Sequence, residues 1–200
     1  MIKAVYDLIQ SGTYGKAIGY SLYCGSYLPD WRPGRDYRSL YSSSARLGGG
    51  VHIDLIHEFD FASYWFGPYQ SISGRLAKVS RLEIDSIDDC ASLTKHSGGV
   101  IGTVHLDYYR PVARREFEVV FPEVVVRGDL LTSKIEIASK AGSELKDYSI
   151  TREALFDRQA KAVLAAIRAN EKSPWSLAEC SDTNRRVLRQ GTNFGKNSEE

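Results

Sequence analysis

From residue 71 to about residue 139, apolar and polar residues alternate with a period of two in six successive runs. They are "ISGRLAKVSRLEI", "CASLTKH", "GVIGTVHLDYY", "REFEVVF", "EVVVRGD" and "SKIEIAS". A period of two sends successive side chains to opposite faces of a strand, so this segment has to build a sheet. Turn signals divide the runs at Asp88-Asp89, Ser97-Gly98-Gly99, Pro111, Pro122 and Gly128-Asp129. Links this short imply an antiparallel meander. A seventh β-rich run, "KAIGYSLYCGSYL", precedes them. Helical patterns flank the strands. Ile2, Val5, Leu8 and Ile9 share one helical face that Gly12 ends. A second helix follows the glycines at 48–50 and stops near Gly67-Pro68. Leu155, Gln159, Val163, Leu164 and Ile167 form a stripe on a helix over 151–170. A last helix opens at Ser176, whose spacing from Glu179 is that of a capping box. The expected fold is α+β, an open, largely antiparallel β-sheet with helices packed on one face. One domain over 1–200 is expected, with 190–200 as a frayed tail.

Composition narrows the function. The 200 residues carry a formal charge of +1 with Lys and Arg scattered, which gives no electrostatic case for nucleic acid or an anionic membrane. No apolar run approaches the ~20 residues of a membrane helix. Charges interrupt the apolar positions of "MIKAVYDLIQ", so it does not read as a signal peptide. Cys24, Cys90 and Cys180 are far apart and lack CxxC or histidine spacing. They read as reduced thiols of a cytoplasmic protein, and no metal site is expected.

Chemistry concentrates in "RLGGGVHIDLIHEFDFASYWFG", residues 46–67. Asp54, His57 and Asp60 follow one another at intervals of three, the spacing of neighbours on a helix. A histidine beside a carboxylate can be held in one tautomer and exchange a proton near neutral pH. Gly49 and Gly50 permit close backbone approach to a ligand, here a cofactor. The competing reading is a glycine turn followed by a core helix with solvated polar edges. The long polar segment "PDWRPGRDYRSLYSSSARLGGG" reads as a binding loop. In it Trp31 is placed to stack on a ring, and Asp30, Arg32, Arg35 and Tyr37 to bond hydroxyls or a phosphate. Equally, Pro29 and Pro33 stiffen a surface loop around a buried Trp. Elsewhere His96 reads as solvated beside a turn and His105 as a sheet-face residue. Arg110, Arg114 and Arg115 read as a charged hairpin, and Tyr108 and Tyr109 as a packed face or an interface.

The glycine run followed by an aspartate, a histidine and a further acidic residue resembles the signature helix of the Gfo/Idh/MocA oxidoreductases, the glucose–fructose oxidoreductase and inositol dehydrogenase group. "LIQSGTYGKAIGYSLYCGSYLPDWRPGRDYR" resembles the segment leading into that family's C-terminal domain. The resemblance implies hydride transfer between NAD or NADP and a sugar, polyol or nucleotide sugar. It implies that His57 exchanges a proton with the substrate hydroxyl and that Asp54 holds substrate or orients the histidine. It leaves Asp60 a structural hydrogen bond. Many members space aspartate and histidine by four, and here the interval is three, a rotation of about 100° on an ideal helix. It also implies a homo-oligomer formed through the sheet face. The family's N-terminal half is a Rossmann domain, and no strand–GxGxxG–helix or Glu-Lys-Pro motif occurs in these 200 residues. The expectation is a substrate-binding and oligomerisation domain, incomplete for catalysis alone, whose dinucleotide-binding domain is absent, by truncation or because a separate Rossmann-domain chain carries it. The alternative is a non-catalytic self-association or partner-binding module.

Overall fold

The structure, a computed structural model, describes residues 1–170 and 177–190. The capping box at Ser176 and all of the expected tail beyond Gln190 lie outside the described residues. Gln190 itself belongs to the core, its Oε1 accepting from Ser92 Oγ at 2.5 Å. The chain begins with α1 (Ile2–Ser11) and β1 (Gly19–Gly25) and then runs through four 3-10 turns between residues 28 and 47. The short helix α2 (Val51–Asp54) leads directly into α3 (His57–Phe66). Seven strands follow: β2 (Tyr69–Ala77), β3 (Asp89–His96), β4 (Ile101–Asp107), β5 (Arg114–Val120), β6 (Val124–Asp129), β7 (Lys134–Ser139) and β8 (Gly142–Asp147). The helices α4 (Arg152–Arg168) and α5 (Leu177–Arg189) close the described chain.

All eight strands form one open sheet in the order β2-β3-β4-β1-β5-β6-β7-β8. The meander is not continuous. β1 inserts between β4 and β5, parallel to the first and antiparallel to the second. Its Tyr20, Leu22 and Cys24 are buried, and pairing on both sides satisfies both of its backbone edges. The link over residues 108–113 is long enough to step across one strand, about 10 Å or two strand spacings. β8 has no sequence signature: five of its six residues are exposed, so no alternation marks it. It serves as a charged edge.

The helices cover one face. That face carries Tyr20, Leu22, Cys24, Cys90, Val104, Leu106, Phe117, Val119, Val126 and Ile135, and Phe59, Ala62 and Trp65 of α3 belong to the same core. α4 is different. It buries no residue, and Leu155, Phe156, Val163, Leu164 and Ile167 are all about half-exposed or more. The stripe read from the sequence exists, but it faces outward. Thr151 caps the helix, accepting from the Ala154 N–H at 3.2 Å, and Lys161 pairs with Asp157 on its surface.

His96 is fully buried rather than solvated. Its Nδ1 donates to the Gly67 carbonyl at 2.7 Å and its Nε2 meets the Tyr20 hydroxyl at 3.0 Å. The hairpin that looked like a surface turn is roofed by the end of α3. Burial holds the imidazole below its ordinary value of 6.5, and burial does the same to His52. A depressed folded pKa means that the unfolded chain binds protons first as pH falls. Stability should therefore decline below about pH 6.5, by up to about 1.4 kcal/mol per pH unit for each histidine. Denaturant melts across this range should show the decline, and His96→Gln should make it shallower. Gly102 supplies a second test. It lies opposite Tyr20 in register, and a Cβ there would sit 2.2 Å from the Tyr20 ring. Gly102→Ala should cost about 1–3 kcal/mol in urea unfolding. Thr103→Ala, on the exposed face, should change stability by less than about 0.5 kcal/mol.

Candidate functional site

The site sits where the loop after β1 and the α2–α3 junction meet the ends of β1, β4 and β5. The glycine run shapes the entry. A Cβ at Gly49 would lie 2.2 Å from the Tyr41 carbonyl oxygen, so the close approach here is to the chain's own backbone. Gly50 has φ +144°, and a Cβ there would lie 2.8 Å from the His52 ring. The run thus lets α2 start hard against the 3-10 turns. His52 is buried, and its Nδ1 has no hydrogen-bond partner among the described residues.

Asp54 and His57 do not share one continuous helix. α2 ends at Asp54, Leu55 leaves the helical region at φ −107° and ψ 22°, and His57 opens α3. The break divides the site into two clusters. On one side, Tyr108 donates its hydroxyl hydrogen to Asp54 Oδ2 at 2.6 Å. Trp31 stands edge-on to the Tyr108 ring, 5.3 Å between centroids at 88°, and its indole N–H donates to Ser26 Oγ at 2.8 Å. Burial first, and then the Asp54 carboxylate, push the Tyr108 phenol far above its ordinary range. Trp31 of the binding loop and Asp54 of the signature segment are thereby joined through one tyrosine.

On the other side, Glu58 is completely buried. Arg115 donates from Nε to Glu58 Oε1 at 2.7 Å, and His57 Nε2 lies 3.1 Å from the same oxygen. The sheet register explains the arginine. Arg115 is the cross-strand partner of Cys24, so both face α3. Burial first, and then the Glu58 charge, push the Cys24 thiol up to about 12. His57 keeps 38% of its side chain exposed and rests beside Phe61. Asp60 is exposed and makes no side-chain hydrogen bond among the described residues, so the expected structural bond is missing. Partial desolvation raises its carboxyl, against the pull of His57.

The remaining loop residues divide. Asp30 is exposed on the turn that carries Trp31. Arg32 and Arg35 are exposed farther along. Tyr37 faces the opposite loop, where its hydroxyl accepts from the Glu83 N–H at 3.2 Å. Arg115 and Tyr108, which read as hairpin and sheet residues, are central to the two clusters. No local pattern marks them, because their partners lie 57 and 54 residues away.

Removing Arg115 would leave a buried carboxylate uncompensated. Arg115→Met should destabilise the chain by about 3 kcal/mol, the lower end for a broken buried pair because the arginine is 30% exposed. Adding Glu58→Gln should restore part of the loss. A guanidinium-chloride series on the two variants checks both, and a single-variant loss under about 1 kcal/mol would contradict the pairing.

Comparison with known proteins places this geometry. No curated protein sequence matches the chain. Among solved structures, an oxidoreductase from Agrobacterium radiobacter in complex with NAD+, L-tartaric acid and magnesium aligns with a TM-score of 0.76 at 18% identity, over 96% of this chain and 59% of that one. A levoglucosan dehydrogenase in complex with NADH and levoglucosan aligns with a TM-score of 0.79 at 12% identity, over 94% of this chain and 60% of that one. At such identities the likeness is one of fold, and the chain spans about 60% of the length of these structures. The family described as the GFO/IDH/MocA C-terminal domain matches residues 2–127, which include the glycine run, both clusters and the strands that carry them. The chain belongs to that family.

Proposed function

We propose that this chain is the substrate-binding and oligomerisation domain of an NAD(P)-dependent oxidoreductase acting on a sugar, polyol or nucleotide sugar. The observation that carries the proposal is His57. It is half-exposed at the start of α3, three residues after the Asp54 that Tyr108 holds, in a chain of this family. His57 exchanges the proton of the substrate hydroxyl, a role worth about 10²–10⁴ in rate for a positioned acid–base group. Asp54, oriented by Tyr108, holds the hydroxyl in place. Trp31 and Asp30 form the wall on which the ring lies, and Arg32 and Arg35 extend it toward a phosphate. The solved structures of similar fold were captured with NAD+ and L-tartaric acid, and with NADH and levoglucosan, which supports both halves of this reading.

The dinucleotide does not fit the described residues. Gly49 packs on the Tyr41 carbonyl rather than opening toward a ligand. The one parallel strand pair among the described residues, β1 with β4, is not a glycine-turn βαβ unit. We assign the nicotinamide to a Rossmann domain outside these residues, either in the same polypeptide or in a separate chain. Oligomerisation is assigned to the uncovered sheet face, where Leu93 and Ile101 are 53% and 50% exposed. That exposure also supports the second reading, a self-association module without catalysis.

Joined to its dinucleotide-binding domain, the enzyme should lose about 10²–10⁴ in kcat on His57→Ala with an unchanged circular dichroism spectrum. Trp31→Ala should act mainly on KM. Full activity in His57→Ala would remove the histidine from the reaction. Assembly that is indifferent to Asp54 and His57, in an enzyme with no turnover, would favour the module.

A further inference from the structure

We propose that Cys24, His57 and Glu58 form a binding site for a single zinc-class divalent ion. One donor atom from each lies within 4.8 Å of the other two. Cys24 comes from β1, and the other two open α3. Adjacent helix residues point about 100° apart. Here the imidazole Nε2 and the carboxylate Oε1 converge instead, to 3.1 Å. A second observation points to a ligand. Glu58 is completely buried, yet its Oε2 has no hydrogen-bond partner among the described residues. A buried carboxylate oxygen without a donor is rare and needs an account, and a metal ion supplies one.

The donor set chooses the metal. One sulfur, one nitrogen and one carboxylate oxygen suit zinc or cobalt, whereas magnesium and calcium take oxygen ligands. Three protein ligands leave the fourth tetrahedral position to water. The way in passes His57, which is 38% exposed. Arg115 is the opposing charge, and its place limits the opposition. It donates to Oε1, the oxygen that also faces His57, fixes the carboxylate plane and leaves Oε2 without a donor, as an outer-shell donor does. With thiolate, carboxylate and guanidinium counted, the filled site carries one net positive charge. A zinc ion on three neutral histidines carries two.

Binding breaks the Cys24 S–H bond, forms a sulfur–metal bond and releases the proton to solvent. Because the thiol must give up this proton to bind, affinity falls as pH falls. A filled site also withdraws His57 from proton exchange, which makes the ion an inhibitor under the function proposed above. Binding itself is read whether or not that function holds.

The test is titration of the 200-residue chain with Co2+ followed by absorption, then displacement by Zn2+. The expected result is a thiolate-to-cobalt charge-transfer band with the visible bands of four-coordinate cobalt, at one ion per chain. Cys24→Ser should abolish the charge-transfer band. His57→Ala, at a half-exposed position, should weaken binding at least about 10-fold. Cys90→Ser and Cys180→Ser should keep the band. Circular dichroism of each variant confirms folding. No charge-transfer band in the folded wild-type chain, or a band that survives Cys24→Ser, overturns the site.

Discussion

Everything at the site depends on where β1 lies. A strand from the start of the chain occupies the middle of the sheet, bonded to β4 on one side and β5 on the other. That placement sets Leu22 opposite Phe117 and Cys24 opposite Arg115, and it brings Cys24 level with Leu106. It also delivers the loop after β1 to the end of β4. Leu28 N–H bonds the Tyr108 carbonyl at 2.8 Å, and Trp31 then meets the Tyr108 ring. Had β1 paired at an edge, Arg115 and Cys24 would not be neighbours, and the binding loop would start elsewhere. A one-residue slip would be as damaging, since it would turn Cys24 to the uncovered face.

The central charge follows from the same register. A carboxylate with no solvent exposure, like Glu58, is tolerable only with a partner of opposite charge and good hydrogen-bond geometry. Arg115 qualifies because the sheet holds its guanidinium beneath α3 while leaving 30% of the side chain in water. Such a pair adds little net stability against an apolar replacement. Its effect is to place charge. It sets Glu58, itself bonded to Arg115, beside a histidine that keeps 38% of its side chain exposed.

The strands were legible because alternation is a local signal. Six of the eight could be read from period-two runs and β1 from its β-rich composition, and β8 escaped because nothing in "GSELKD" faces a core. Strand order was not legible. Short links argued for a continuous meander, and the choice of β1 as the partner of both β4 and β5 rests on contacts roughly a hundred residues apart in the chain. The site divides in the same way. Asp54, His57 and Trp31 stand out by residue type within a few positions of glycines and prolines. Glu58, Arg115, Tyr108 and Cys24 do not, because each is ordinary in its own run and acquires a role only through a partner on another element. His96 was misread for that reason too. Its neighbours in sequence are a turn, and its neighbours in space are Tyr20, Tyr69 and Phe66.

The three-residue interval between Asp54 and His57 illustrates how a spacing argument can be right in arithmetic and wrong in premise. On one continuous helix, shortening the interval from four residues to three swings the aspartate by about 100°. The chain does not keep one helix. Ile56 N–H bonds the Ile53 carbonyl at 3.3 Å and Glu58 N–H bonds Leu55 at 3.2 Å, so the backbone tightens at Leu55-Ile56 and restarts. The break removes the fixed angle between the two residues. Asp54 is then oriented by Tyr108, the residue after β4, and His57 by its place beside Glu58. Each is positioned by the sheet, and the helix between them need not carry their relationship.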